Sequence, residues 1–173
     1  DLGGTNNDNN TVFSGAGADD ITLSGTDLTS NTIQTGDETD TVTISGDNND
    51  LNDVNTGLGN DTIQVTGSGN DSNTLYGHDG DDNIDLGGSL NTNNTLDGGD
   101  GNDTIDISGT DNDSNTVIGD AGNDTISISG DQNNLNTIDG GLGDDYVDIG
   151  GIDNSSNTVT TGSGYDTVAI TGT

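Results

Sequence analysis

Aliphatic residues recur along the chain at a fixed spacing of 21 residues. If each repeat is counted from an asparagine, the third, twelfth and fourteenth positions are always aliphatic. Positions twelve and fourteen alternate with polar residues and are rich in Ile, Val and Thr, which predicts a strand with one buried face. Clusters of Gly, Asn and Asp predict turns. Each repeat is therefore predicted to hold two short strands and two turns. The repeats begin at Asn10, Asn31, Asn52, Asn73, Asn94, Asn115, Asn136 and Asn157.

Repeats of constant length predict an all-β parallel β-solenoid of eight 21-residue coils. Each strand would pair with its copy in the next coil, about 4.8 Å away, on either side of a thin core. The asparagines at the coil starts, here called the Asn column, are expected to form a ladder of side-chain amides. We treat residues 1–173 as a single repeat array with a partial coil at residues 1–9. Since neither end carries an atypical capping coil, we expect a fragment of a longer array.

The tenth position of every coil is aspartate, and these residues are called the Asp column. In stacked coils, carboxylates about 4.8 Å apart repel one another by about 3 to 4 kcal/mol per pair at an effective dielectric constant of 20. Protonation or a divalent cation between coils would relieve this repulsion. At neutral pH the cation is favoured. The Asp column consists of Asp19, Asp40, Asp61, Asp82, Asp103, Asp124, Asp145 and Asp166.

Composition narrows the choice of ligand and partner. The 173 residues include 32 Asp and Glu but no Lys or Arg, giving a net charge of −32, and cysteine is absent. Any metal must therefore be held by oxygen, which suits Ca²⁺ better than Zn²⁺ or Mg²⁺. The uniform negative charge disfavours nucleic acid and anionic membranes as partners. No apolar run is long enough to span a bilayer, so membrane insertion is not expected.

The turn that leads into each aspartate resembles a known calcium-binding motif, G-G-x-G-x-D-x-U-x, where U is a large aliphatic residue. Residues 98–106 and 140–148 match it at every position. The chain therefore resembles the RTX (hemolysin-type) repeats of secreted bacterial proteins, including giant adhesins. The resemblance implies that the Asp column and loop carbonyls hold Ca²⁺ between coils. It also implies a secreted or cell-surface location and folding triggered by extracellular calcium.

Several turns depart from this motif. The other turn of each coil lacks it, so we expect one main row of calcium ions. The recurring asparagines of that second turn are expected to satisfy turn amides; they are Asn49, Asn70, Asn91, Asn112, Asn133 and Asn154. Within the motif, the first Gly is replaced by Ser14, Thr35, Thr56 and Thr161, the second by His78 and Asp120, and the third by Glu38. The Glu38 turn is the poorest match, because glutamate accommodates positive φ badly.

The sequence predicts a calcium-binding structural segment of a secreted surface adhesin or an extracellular filament. Its expected partners are calcium ions and neighbouring repeats or like chains arranged end to end. An enzyme is not expected, because catalysis needs a singular site and this chain consists of repeats. Two alternatives stay open: an ice- or glycan-binding solenoid, and an accessory module of a secreted enzyme. The threonines at the second position favour ice binding, whereas the irregular side chains at the fourth position disfavour it.

Overall fold

The computed structural model describes residues 2–172, which form a parallel β-solenoid of two sheets without a helix in that range. The predicted fold class is thereby confirmed. One sheet has nine strands, which come from the second half of each coil. They are β1 (Leu2–Thr5), β3 (Asp20–Thr26), β5 (Thr41–Ser45), β7 (Thr62–Thr66), β9 (Asn83–Leu86), β11 (Thr104–Ile107), β13 (Thr125–Ile128), β15 (Tyr146–Ile149) and β17 (Thr167–Ile170).

The second sheet has eight strands, which come from the start of each coil. Its strands alternate along the chain with those of the first sheet, so the backbone passes from one sheet to the other twice per coil. They are β2 (Thr11–Ala16), β4 (Thr32–Asp37), β6 (Asp53–Leu58), β8 (Thr74–Asp79), β10 (Thr95–Asp100), β12 (Thr116–Ala121), β14 (Thr137–Asp139) and β16 (Thr158–Thr160).

The strand register places each residue beside its copy in the next coil. Leu96 of β10, for example, pairs with Leu75 on one side and Val117 on the other. A third, narrower line of isolated parallel bridges runs through the second turn, from Thr29 to Asp113. Because all paired strands have the same register, a residue type that recurs every 21 residues forms a continuous row along the solenoid axis.

The core contains the aliphatic positions that the sequence predicted. Ile33, Ile105 and Ile107, from the third, twelfth and fourteenth positions, are fully buried, as are their copies in the central coils. Alternation along each strand sends every second side chain inward, which explains why these positions are aliphatic in every coil. Leu28 is also fully buried, at the nineteenth position, where the later coils carry asparagine.

Glycine is required where the turns of adjacent coils approach most closely. Gly80 and Gly122 have φ of 138° and 146°, and a Cβ on either would overlap the carbonyl oxygen of the preceding coil. Glu38 occupies the equivalent position with φ 77°. The sequence-based concern about this turn was therefore justified in part, since Glu38 does adopt the left-handed conformation that glycine prefers.

The two residues that replace the second glycine of the motif also have a positive φ. His78 has φ 80° and Asp120 has φ 70°. The His78 side chain is exposed, and its Nε2 lies 2.7 Å from Nδ2 of Asn55. These residues occupy the outer surface of the turn.

No membrane-spanning helix is found among residues 2–172.

Candidate metal centre

The Asn column shows how this solenoid satisfies a buried polar side chain. Asn94 is 1% exposed, and its Oδ1 accepts hydrogen bonds from the backbone N–H and the Nδ2 of Asn73, at 2.9 and 3.0 Å. Its own Nδ2 donates to Oδ1 of Asn115 and to the carbonyl oxygen of Asn70, both at 3.0 Å. The predicted amide ladder is confirmed, and both ends of the Asn94 amide have partners in it.

Replacing Asn94 with alanine should destabilise the chain by on the order of 3 kcal/mol, because several buried groups would lose their partners at once. The measurement is the midpoint of urea unfolding at a fixed calcium concentration. Asn83→Thr serves as the matched control, since Asn83 is exposed and threonine stands at the same place in the adjacent coils. Equal midpoints for the two variants would show that the ladder contributes little.

The asparagines of the second turn form another buried ladder. Nδ2 of Asn70 donates to Oδ1 of Asn91 at 2.8 Å and to the carbonyl oxygen of Gly67 at 3.1 Å. The sequence predicted that these residues satisfy turn groups but did not predict the ladder. Asn49 Oδ1 has no hydrogen-bond partner, and the preceding coil carries Leu28 at that position.

The Asp column also points into the solenoid. Its six inner members are between 1% and 3% exposed, whereas the terminal Asp19 and Asp166 are half-buried. From Asp40 to Asp166, Oδ1 of each carboxylate accepts a hydrogen bond from the backbone N–H of the aspartate one coil earlier. That distance is 2.8 Å from Asp82 N to Asp103 Oδ1. This bond fixes one oxygen in the same way as in the Asn column.

The second oxygen of these carboxylates has no hydrogen-bond partner although it is buried. The unpartnered oxygens are Oδ2 of Asp19, Asp40, Asp61, Asp82, Asp103, Asp124 and Asp145. In the Asn column, the corresponding atom is an amide nitrogen that donates to the next coil. A carboxylate cannot donate unless it is protonated, so each coil leaves a buried acceptor that requires a proton or a cation.

Backbone carbonyl groups lie beside these oxygens. A Cβ built on Gly77 would overlap Oδ2 of Asp82 and would lie 2.6 Å from the carbonyl oxygen of Gly98 in the next coil. A Cβ on Gly140 would lie 2.6 Å from Asp145 Oδ2 and 2.8 Å from the carbonyl oxygen of Thr161. The missing side chain of each of these glycines therefore lets a carboxylate oxygen and a carbonyl oxygen of the next coil lie close together.

Burial makes the charged form of these carboxyl groups unfavourable. It raises the pKa of Asp82 and Asp124 to about 6 and that of Asp103 to about 7. The negative charges of neighbouring aspartates raise these pKa values further, while the backbone hydrogen bond to each carboxylate lowers them. The pKa of Asp61 is also raised by burial, although its backbone hydrogen bond and the Thr56 hydroxyl oppose the rise.

The donor set is suitable for a hard cation. Within residues 2–172, no three acidic or histidine side chains converge on one point. An ion in the Asp column would therefore be held by a carboxylate oxygen together with backbone carbonyl oxygens. Such all-oxygen sets of flexible geometry suit Ca²⁺. The buried, unpartnered oxygens and the carbonyl oxygens near them thus fit the ion that the sequence motif implied.

Comparison with protein-family models, with curated proteins and with solved structures gave no match. The chain is thus a repeat protein of the parallel β-solenoid class, defined by its coils, its two sheets and its polar ladders. Its likeness to RTX repeats depends on the turn motif in its own sequence.

Proposed function

We propose that this chain is a structural spacer whose coils are held together by Ca²⁺ bound along the Asp column. The observation that carries the proposal is the row of buried Oδ2 atoms without hydrogen-bond partners, one per coil from Asp19 to Asp145. Bound calcium supplies positive charge between coils, which offsets carboxylate repulsion that no Lys or Arg of this chain can offset.

The chain's own residues would position the ion in the same way in each coil. The N–H of one aspartate holds Oδ1 of the next, so that Oδ2 faces the turn carbonyls. The eight aspartates of the column are the proposed ligands, with Asp19 and Asp166 closest to solvent. Metal binding that requires a folded site also stabilises the fold, so coil formation and calcium binding would occur together.

The proposed setting is extracellular, in a surface adhesin or a filament. Extracellular calcium modules bind their ion at about 10⁻⁴ to 10⁻³ M, so such a chain would remain unfolded in calcium-poor cytosol and fold after export. Neighbouring repeats or like chains placed end to end are the proposed protein partners. The repetition of every candidate site along the axis supports a structural role rather than an enzymatic one.

The outward side chains support the role of a spacer rather than that of a surface that orders water. The fourth position of each coil faces outward and carries unrelated residues, including Phe13, which is 68% exposed, Gln34 and Asp97. A face that binds ice or a repeating glycan needs the same groups at regular intervals. Threonine does recur at the outward second position, but Asp53 interrupts that row and the fourth position beside it has no such regularity.

A calcium titration monitored by far-UV circular dichroism tests the proposal. Starting from metal-free protein at pH 7.5, we expect a cooperative gain of β signal with calcium and a much weaker response to magnesium, which gives up its bound water reluctantly. A full β spectrum without metal that does not change on adding calcium would refute the proposal. In that case the core and the amide ladders would suffice for folding.

A further inference from the structure

The fifth position of the coil, five residues before each aspartate of the column, carries either a hydroxyl-bearing residue (serine or threonine) or glycine. Two adjacent coils carry threonine at this position, Thr35 and Thr56, and both side chains are fully buried. Four consecutive coils carry glycine instead, and these glycines are also buried. They are Gly77, Gly98, Gly119 and Gly140.

In the threonine coils, the side chain fills the space between the column and the next coil. The Thr35 hydroxyl donates to the carbonyl oxygen of Thr56 at 2.9 Å, and the Thr56 hydroxyl donates to the carbonyl oxygen of Gly77 at 3.2 Å. The Thr56 hydroxyl also lies close enough to the carboxylate of Asp61 to lower its pKa. In the Thr56 coil, both the turn carbonyl and the carboxylate that a cation would contact thus have a hydroxyl beside them.

In the glycine coils, the carboxylate occupies the place of the missing side chain. A Cβ on Gly98 would overlap Oδ2 of Asp103, and a Cβ on Gly119 would overlap Oδ2 of Asp124. At Gly77, Gly119 and Gly140, a carbonyl oxygen of the next coil lies within 2.8 Å of the same Cβ position. The four unpartnered oxygens of these coils belong to side chains that are 1% to 3% exposed: Asp82, Asp103, Asp124 and Asp145.

We infer that the residue at the fifth position decides which coils accept a calcium ion. Glycine leaves a site between the carboxylate and the turn carbonyls, whereas threonine fills that site with its own hydroxyl and methyl groups. This inference rests on the proposed function and narrows it, because it predicts four equivalent sites in the middle of the array rather than one in every coil.

The test counts calcium ions by equilibrium dialysis of the whole chain against calcium chloride, with far-UV circular dichroism to verify folding. We expect about four ions for the parent chain, about three for Gly98→Thr and about five for Thr56→Gly. The threonine introduced by Gly98→Thr would occupy the place that Thr35 and Thr56 already occupy in folded coils, so the variant should fold. Gly87→Thr is the matched control, since a Cβ there meets nothing closer than 3.5 Å.

The possible outcomes separate this inference from the proposed function. Equal numbers of ions in the parent, Gly98→Thr and Thr56→Gly chains, or about one ion for every coil, would overturn the role of the fifth position while leaving calcium binding intact. Binding of no calcium by any of these chains would refute the proposed function itself. A loss of one ion in Gly87→Thr would also count against the inference, because that glycine is remote from the column.

Discussion

Replacing Asp82, Asp103 and Asp124 with asparagine should stabilise the metal-free chain at pH 7.5 by on the order of 1 to 3 kcal/mol per site. Each replacement exchanges a buried acceptor without a partner for an amide that can donate. The Asn column shows that this backbone accepts such a ladder, because Asn94 donates from Nδ2 to the next coil. The measurement is urea unfolding of the triple variant and the parent in metal-stripped buffer.

The same triple variant should lose most of the stabilisation that calcium gives to the parent, since neutral amides are poor substitutes for carboxylates as calcium ligands. Its matched control carries asparagine at three exposed aspartates, Asp79, Asp100 and Asp139. Both variants remove three negative charges, but only the first removes the buried oxygens. If the control gains as much stability as the triple variant, general charge repulsion is the cause and not the unpartnered oxygens.

Much of this fold was predictable because the register is constant. A position that faces the core in one coil does so in every coil, so the aliphatic third, twelfth and fourteenth positions identified the interior directly. The coil-start asparagines were also predictable as a ladder. An inward polar residue must be the same in each coil to find its partner, whereas outward positions such as Phe13 and Gln34 are free to vary.

Other features depended on atomic positions that the repeat does not reveal. The motif places the aspartates in a turn, yet it does not show that one oxygen is held by the preceding coil while the other is buried without a partner. The substitution of threonine for the first motif glycine looked like a simple departure. Only the carbonyl next to the Thr56 hydroxyl shows that the substitution fills a space.

The polar columns explain how a chain with only 24% hydrophobic residues forms a solenoid. The Asn column and the second-turn asparagines supply buried hydrogen bonds at two places in each central coil without adding charge. The Asp column occupies another corner with the same N–H to Oδ1 bond, but it carries a negative charge. The stability of the stack therefore depends on what neutralises that one column, which makes it sensitive to both metal and pH.

The metal-free chain should lose stability as the pH rises from about 4 to about 8, because the pKa values of three column carboxyls are raised in the folded state. Burial raises the pKa to about 6 for Asp82 and Asp124 and to about 7 for Asp103, against 3.8 as the ordinary value. Below pH 3.8 these groups are protonated in both states and their stabilising effect is fully present. It is lost as the pH passes through 6 to 7.

Calcium should reverse this trend, because it binds the ionised carboxylates. The stability gained from calcium is therefore expected to grow between pH 4.5 and pH 8, while the stability of the metal-free chain falls. Urea midpoints at both pH values, with and without calcium, provide the measurement. Asp71 acts in the opposite sense, because hydrogen bonds from Thr92 and Asn93 lower its pKa. Its contribution to stability therefore changes only below pH 3.8, outside the range compared.

The triple asparagine variant is the control for this pH dependence, because it lacks the three carboxyls whose pKa values reach 6 to 7. Its metal-free stability should change much less between pH 4.5 and pH 8 than that of the parent. The parent's slope should persist in the variant with Asp79, Asp100 and Asp139 replaced. A metal-free parent chain that is more stable at pH 8 than at pH 4.5 would contradict the prediction. Such a result would mean that ionised carboxylates are tolerated inside the stack, and the column would then need no cation.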